Sequence, residues 1–108
     1  MLLATTPVDL RGSFNRLYSL VIEQLREDPL SGHLFVFTNR RRNRLKVLYW
    51  DGSGLCLFAK RLEKGRFVWP PAINERLHLT PGQLDLLIEG MDWRRTVPME
   101  LEYRPALA

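Results

Sequence analysis

Nine cations fall between positions 31 and 70: Arg40, Arg41, Arg42, Arg44, Lys46, Lys60, Arg61, Lys64 and Arg66. Only Asp51 and Glu63 oppose them there, a surplus of seven (nine minus two), whereas the whole 108-residue chain has a net charge of +4. The other sixty-eight residues are therefore net acidic by three (four minus seven). Guanidinium groups suit bidentate contact with phosphate oxygens, and ammonium groups act as point charges toward them. Five of the nine lie between Arg40 and Lys46 with no acid beside them. Such a cluster repels itself unless an anion is near, which points to a polyanion and above all to nucleic acid. The plainer alternative is a solvated loop that keeps the end of an apolar sheet from aggregating. If all nine cations met phosphates, binding would depend steeply on salt.

Other chemistry is harder to assemble. His33 and His78 have no cysteine or second histidine at ligand spacing, so no zinc motif is visible. Cys56 is the sole cysteine and sits in the apolar run Leu55–Phe58, where it reads as an inert core thiol, not a nucleophile. Asp85 and Glu89 share a helical face, but a solvated acidic face explains them. Gly52 and Gly54 lack the Lys-Ser/Thr that a phosphate-binding loop requires. The expectation is a protein without catalytic residues, metal or cofactor.

The elements that carry the cations follow from the spacing of apolar residues. At 45% hydrophobic, 108 residues can build one small core. Phe14, Leu17, Tyr18, Val21, Ile22 and Leu25 recur at three and four, predicting an amphipathic helix over 11–27. Asp9 and Ser13 are the candidates for its cap, and Asp28-Pro29 ends it. Residues 34–38, 45–50, 55–62 and 66–69 read as strands joined by turns at 39–44, 51–54 and 63–65. Residues 2–4 read as a short edge strand and 72–79 as a connector. Thr80-Pro81-Gly82-Gln83 announces a second helix: an N-cap, a proline in the first turn and a capping-box glutamine. Leu84, Leu87 and Ile88 should face the core, and Gly90 should end the helix.

The predicted fold is therefore α+β: an antiparallel four-stranded β-meander packed by an N-terminal amphipathic helix and a short C-terminal helix. Residues 1–95 form the single domain and 96–108 a partly ordered tail. The basic loop at 40–44 and the 60–66 hairpin should meet as one basic edge. Phe35, Phe37, Tyr49, Trp50, Phe58, Phe67 and Trp69 are mostly sheet core. Tyr49 and Trp50 are adjacent, so they point to opposite faces, and one is available to stack on a base or meet a partner. No signal peptide or apolar stretch of membrane length is visible. With one cysteine, the expected location is the cytoplasm.

Several motifs together resemble a known family. They are Asp9-Leu-Arg11 before Phe14, Ser31-Gly-His-Leu-Phe-Val-Phe-X-Asn-Arg-Arg, and Lys46-Val-Leu-Tyr-Trp-Asp-Gly-X-Gly. Leu57-Phe-X-Lys-Arg-Leu-Glu-X-Gly-Arg-Phe-X-Trp-Pro70, Leu79-Thr-Pro-X-Gln-Leu84 and Glu89-Gly-X-Asp-Trp93 complete the set. Over about residues 8–93 the chain resembles the small accessory protein of the IS66 class of bacterial insertion sequences, the product of the second open reading frame. It departs from the family pattern at Arg11-Gly12-Ser13, where Arg-Lys-Gly is usual. The resemblance implies a role in transposition beside a separate, larger transposase, and it transfers no catalytic residues. Two partners are thus expected: DNA, through the nine cations, and the transposase. The alternative is an adaptor that meets the transposase through Tyr49, Trp50 and Trp93 with little DNA contact. The third, enzymatic reading is a nuclease or nucleotide-acting enzyme, which would need a divalent metal and Asp51.

Overall fold

A computed structural model of the chain describes residues 1–94. Its elements are β1 (Leu2–Ala4), α1 (Phe14–Glu23), β2 (Phe35–Thr38), β3 (Arg44–Trp50), β4 (Leu55–Arg61), β5 (Arg76–His78) and α2 (Pro81–Ile88). All five strands belong to one sheet in the order β4-β3-β2-β1-β5. The α+β class holds, and so does the antiparallel meander of β2, β3 and β4.

The sheet is mixed and five-stranded, however, not a four-stranded antiparallel meander. β1 lies inside the sheet, parallel to β2 through Leu2↔Phe35 and Leu3↔Val36, and antiparallel to β5 on its other side. All three β1 residues are buried, because an interior strand is covered on both faces. With α1 as the crossover, β1 and β2 form a βαβ unit, the usual way to join parallel neighbours. The connector read over 72–79 contributes β5. The segment 66–69 is not a strand. It lies across the second face of the sheet, burying Phe67 and Trp69, and the Trp69 indole Nε1 donates to the Ala4 carbonyl at 3.0 Å. The predicted tail, 96–108, lies outside the described residues.

Alternation along the strands splits the core in two. Leu2, Ala4, Phe35, Phe37 and Leu48 meet Leu17, Leu20 and Val21 of α1 on one face. Leu3, Val36, Leu45 and Val47 meet Phe67, Trp69, Leu84, Leu87 and Trp93 on the other. Burying each such aliphatic side chain contributes about 1.5–3 kcal/mol. Two helical residues expected on the core face are displaced: Phe14 and Ile22 are exposed, and Leu20 takes the inward position. Of the two cap candidates, Ser13 takes the position and Asp9 does not. Ser13 stands at the N-cap without a side-chain bond, and Asp9 binds Arg11 instead. α2 matches its sequence signals: Thr80 accepts from the Gln83 amide, the Gln83 side chain accepts from the Thr80 amide, and Gly90 follows with φ 79°. Among the described residues no helix is long and apolar enough to cross a membrane.

Candidate nucleic-acid interface

β2 ends, β3 begins and β4 ends at the same end of the sheet, so the cations at those positions share one rim. The 39–43 loop that joins β2 to β3 is braced from within. The Asn39 Oδ1 accepts from the amides of Asn43 and Arg44, both at 3.1 Å, and the Asn39 amide group donates to the Asn43 Oδ1 at 2.7 Å. Arg42 takes a left-handed conformation with φ 58° to close the turn. This frame leaves Arg40 and Arg41 exposed to solvent.

The following turn is tied to the same loop. The Leu62 amide donates to the Asn43 carbonyl at 2.8 Å, and the Phe67 amide donates to the Arg42 carbonyl at 2.7 Å. Between these two bonds sit Lys64 and Arg66, both exposed. The juxtaposition of the two basic segments predicted from sequence is thus built by backbone hydrogen bonds. Arg44 and Arg61 face each other directly across β3 and β4. Both are exposed on the α1 side of the sheet, one rung beyond Lys46. Like charges directly opposite destabilise a strand pair. Glu63 offsets part of this by pairing with Arg61 at 3.0 Å.

Three of the nine cations are placed differently. The Lys46 ammonium donates to the carbonyls of Leu10 and Gly12 at 2.6 and 3.1 Å, fastening the segment before α1 to the sheet. The Lys60 ammonium turns to the other face and donates to the Ile88 carbonyl at 2.8 Å, satisfying the C-terminal turn of α2. The Arg42 side chain is half-buried, and its Nε is enclosed without a hydrogen-bond partner. The outward-facing set is therefore Arg40, Arg41, Arg44, Arg61, Lys64 and Arg66.

Sequence reasoning left Arg11 out of the site. The segment that Lys46 fastens presents Arg11 beside the rim, with its side chain 91% exposed. A cleft of about 650 Å³ opens between residues 8–11 and Arg40, Arg41, Arg44 and Lys46. Asp9 shares this cleft, and the Arg11 guanidinium at 2.7 Å holds its carboxyl well below the usual carboxylate range. The only sequence signal for Arg11 was the Asp9-Leu-Arg motif, whose place beside the basic loop depends on the fold.

The residues named for a protein partner lie elsewhere. Tyr49 and Trp50 are half-buried near the Asp51 turn, on opposite faces and at the end of the sheet away from the basic rim. Trp93 is buried, with its indole Nε1 donating to the Val68 carbonyl at 2.7 Å. Asp51 is engaged in its own turn, accepting from the amides of Ser53 and Gly54, each at 2.9 Å, which lowers its pKa to about 2. Cys56 is half-buried with its Sγ 3.5 Å from an Asp51 carboxylate oxygen. Burial and that carboxylate push the thiol upward, away from nucleophilic thiolate.

Comparison with known proteins agrees with the motifs. The family described as IS66 Orf2 like protein matches residues 1–98. The uncharacterized protein y4jC of Sinorhizobium fredii is 45% identical over 95 residues, covering 88% of this chain and 81% of that protein. The uncharacterized protein y4hO of the same organism is 48% identical over 92 residues, covering 85% of this chain and 80% of its own. No solved structure matches. With nearly its whole length matched, the chain belongs to the IS66 Orf2 like family, whose members are accessory proteins of insertion sequences.

Proposed function

We propose that the protein is a non-enzymatic accessory factor of insertion-sequence transposition that binds DNA through the basic end of its sheet, alongside a separate transposase. The observation that carries this is the convergence of Arg40, Arg41, Arg44, Arg61, Lys64 and Arg66 on one rim, with Arg11 beside them. They come from the loop before β3, the two strand ends and the following turn, and two backbone hydrogen bonds lock those pieces together. Repulsion between Arg44 and Arg61 is relieved when a phosphate sits between them. These contacts position the protein on a duplex backbone, and they carry no base readout. The adaptor reading has weaker support, since Trp93 is buried and Tyr49 and Trp50 form no exposed apolar patch.

Titration of the pure protein against labelled duplex by fluorescence anisotropy tests this reading. The Arg40→Glu/Arg41→Glu variant is expected to bind roughly tenfold more weakly or worse, with its fold intact, because two phosphate contacts become repulsive. Equal affinity of variant and wild type would remove the loop from the interface.

A further inference from the structure

β4 forms one lateral edge of the sheet and is seven residues long, against three for β5 at the opposite edge. Its ladder to β3 runs unbroken from Arg44↔Arg61 to Trp50↔Leu55, so no bulge turns it away from solvent. Its two charges, Lys60 and Arg61, stand at the basic-rim end, and Leu55-Cys56-Leu57-Phe58-Ala59 contains no charge and no proline. Folded proteins usually blunt an exposed stretch of this kind with one of those devices, because its free amides and carbonyls invite another strand.

Two hydrogen bonds fix which backbone groups are free. The Asp51 amide donates to the Gly54 carbonyl at 3.1 Å, and the Leu62 amide to the Asn43 carbonyl at 2.8 Å. Hydrogen-bonded pairs alternate along an antiparallel ladder, so Tyr49–Cys56, Val47–Phe58 and Leu45–Lys60 are the bonded pairs between these ends. Leu55, Leu57, Ala59 and Arg61 therefore aim both their N–H and C=O away from β3. Among the described residues no backbone hydrogen bond reaches these groups from outside.

We propose that β4 pairs antiparallel with β4 of a second copy of this chain, about a two-fold axis through Phe58, joining two five-stranded sheets into one. The edge is self-complementary in this register. Leu57 meets Ala59 of the second copy and Leu55 meets its Arg61, so all four outward-facing positions find bonded partners. Phe58 falls on the axis at a non-bonded position, where opposite side chains approach most closely. It is 41% exposed, and its mate's ring would cover it. Charge favours the same arrangement. Antiparallel pairing separates the two Arg61 side chains to opposite ends and brings the Asp51 turn of one copy toward the Lys64 turn of the other, whereas parallel pairing would stack Arg61 on Arg61. The contact is isologous and closes as a dimer. It places the two basic rims at opposite ends of the joined sheet, giving the assembly two separate anion-binding surfaces.

Sedimentation velocity of the full-length chain without DNA, over a concentration series, tests the pairing. The expected species has twice the 12.7 kDa mass of one chain. Ala59→Pro removes an outward N–H that the β3 ladder does not use, and Phe58→Lys puts two like charges on the axis. Each should weaken dimerisation about tenfold or more while leaving the circular dichroism unchanged. Phe58→Cys should form an intermolecular disulfide on mild oxidation, since opposed non-bonded positions lie about 4.5 Å apart between Cα atoms. A chain that stays monomeric at every concentration overturns the proposal. So does a dimer indifferent to both substitutions that fails to cross-link at position 58. A monomer whose Leu55, Leu57, Ala59 and Arg61 amides resist hydrogen exchange overturns it as well, because the edge is then covered by something other than a second copy.

Discussion

Lys46 and Arg41 stand five residues apart with the same charge, and the structure gives them different work. The Lys46 ammonium is spent on two backbone carbonyls, while Arg41 projects from a braced loop into solvent. Lys46→Met should cost about 1–3 kcal/mol in urea unfolding, the penalty for leaving those carbonyls unpaired. Arg41→Ala should stay within about 0.5 kcal/mol of wild type. In a DNA titration, Arg41→Ala should lower the salt slope by about 0.9 for the phosphate contact it removes, and Lys46→Met should leave that slope unchanged. Asp51 gives a prediction against pH. Its folded pKa of about 2 lies below the ordinary 3.8, so ionisation favours the folded state. That stabilisation is fully present above pH 3.8 and is lost as pH falls through about 2. Melting temperatures measured across this range should fall less steeply for Asp51→Asn than for wild type. At this scale the sequence marked charge correctly, but it could not say which cations are consumed by carbonyls. Lys46 and Lys60 find theirs 34 and 28 residues away in the chain.

At the scale of elements, legibility followed the range of the interactions. α2 was readable because its start is written in four consecutive residues, and the Thr80–Gln83 box forms as its composition demands. Thr80→Ala should therefore cost about 1 kcal/mol in thermal or chemical unfolding. The β2–β3–β4 meander was readable because tight turns join neighbouring strands. β1 was readable as a strand but not as an interior one, and β5 was not readable, since β1 reaches across α1 to pair with Phe35 and then with residues 76–78. Three apolar residues at a terminus carry no periodicity, and only burial on both faces makes them a central strand. The segment 66–69 misled for the opposite reason. Its aromatic and β-branched residues look like a strand but serve as a lid on the second face. Its anchor, the indole bond from Trp69 to the Ala4 carbonyl, is buried. Trp69→Phe keeps most of the ring and leaves that carbonyl unpaired, so a loss of about 1–3 kcal/mol is expected in chemical denaturation.

Over the whole molecule, charge and topology coincide. The chain has a net charge of only +4, yet Arg40, Arg41, Arg44, Arg61, Lys64 and Arg66 gather at the end of the sheet where β2 gives way to β3 and β4 terminates. Apolar and half-buried aromatic residues occupy the other end, around the Asp51 turn. The clustering of cations was visible in the linear sequence. Their convergence with Arg11 was not, because it depends on the segment before α1 being drawn to β3 by Lys46. The central claim is that this end of the sheet holds DNA by its phosphates. The measurement that tests it most directly is duplex affinity of the full-length protein across a salt series, by fluorescence anisotropy, beside Arg40→Glu/Arg41→Glu. The predicted result is a linear fall of log affinity with log salt, at about 0.9 per phosphate contacted, with a shallower slope and weaker binding for the variant. Absence of binding at low salt, or a slope that the charge reversal leaves unchanged, would contradict it.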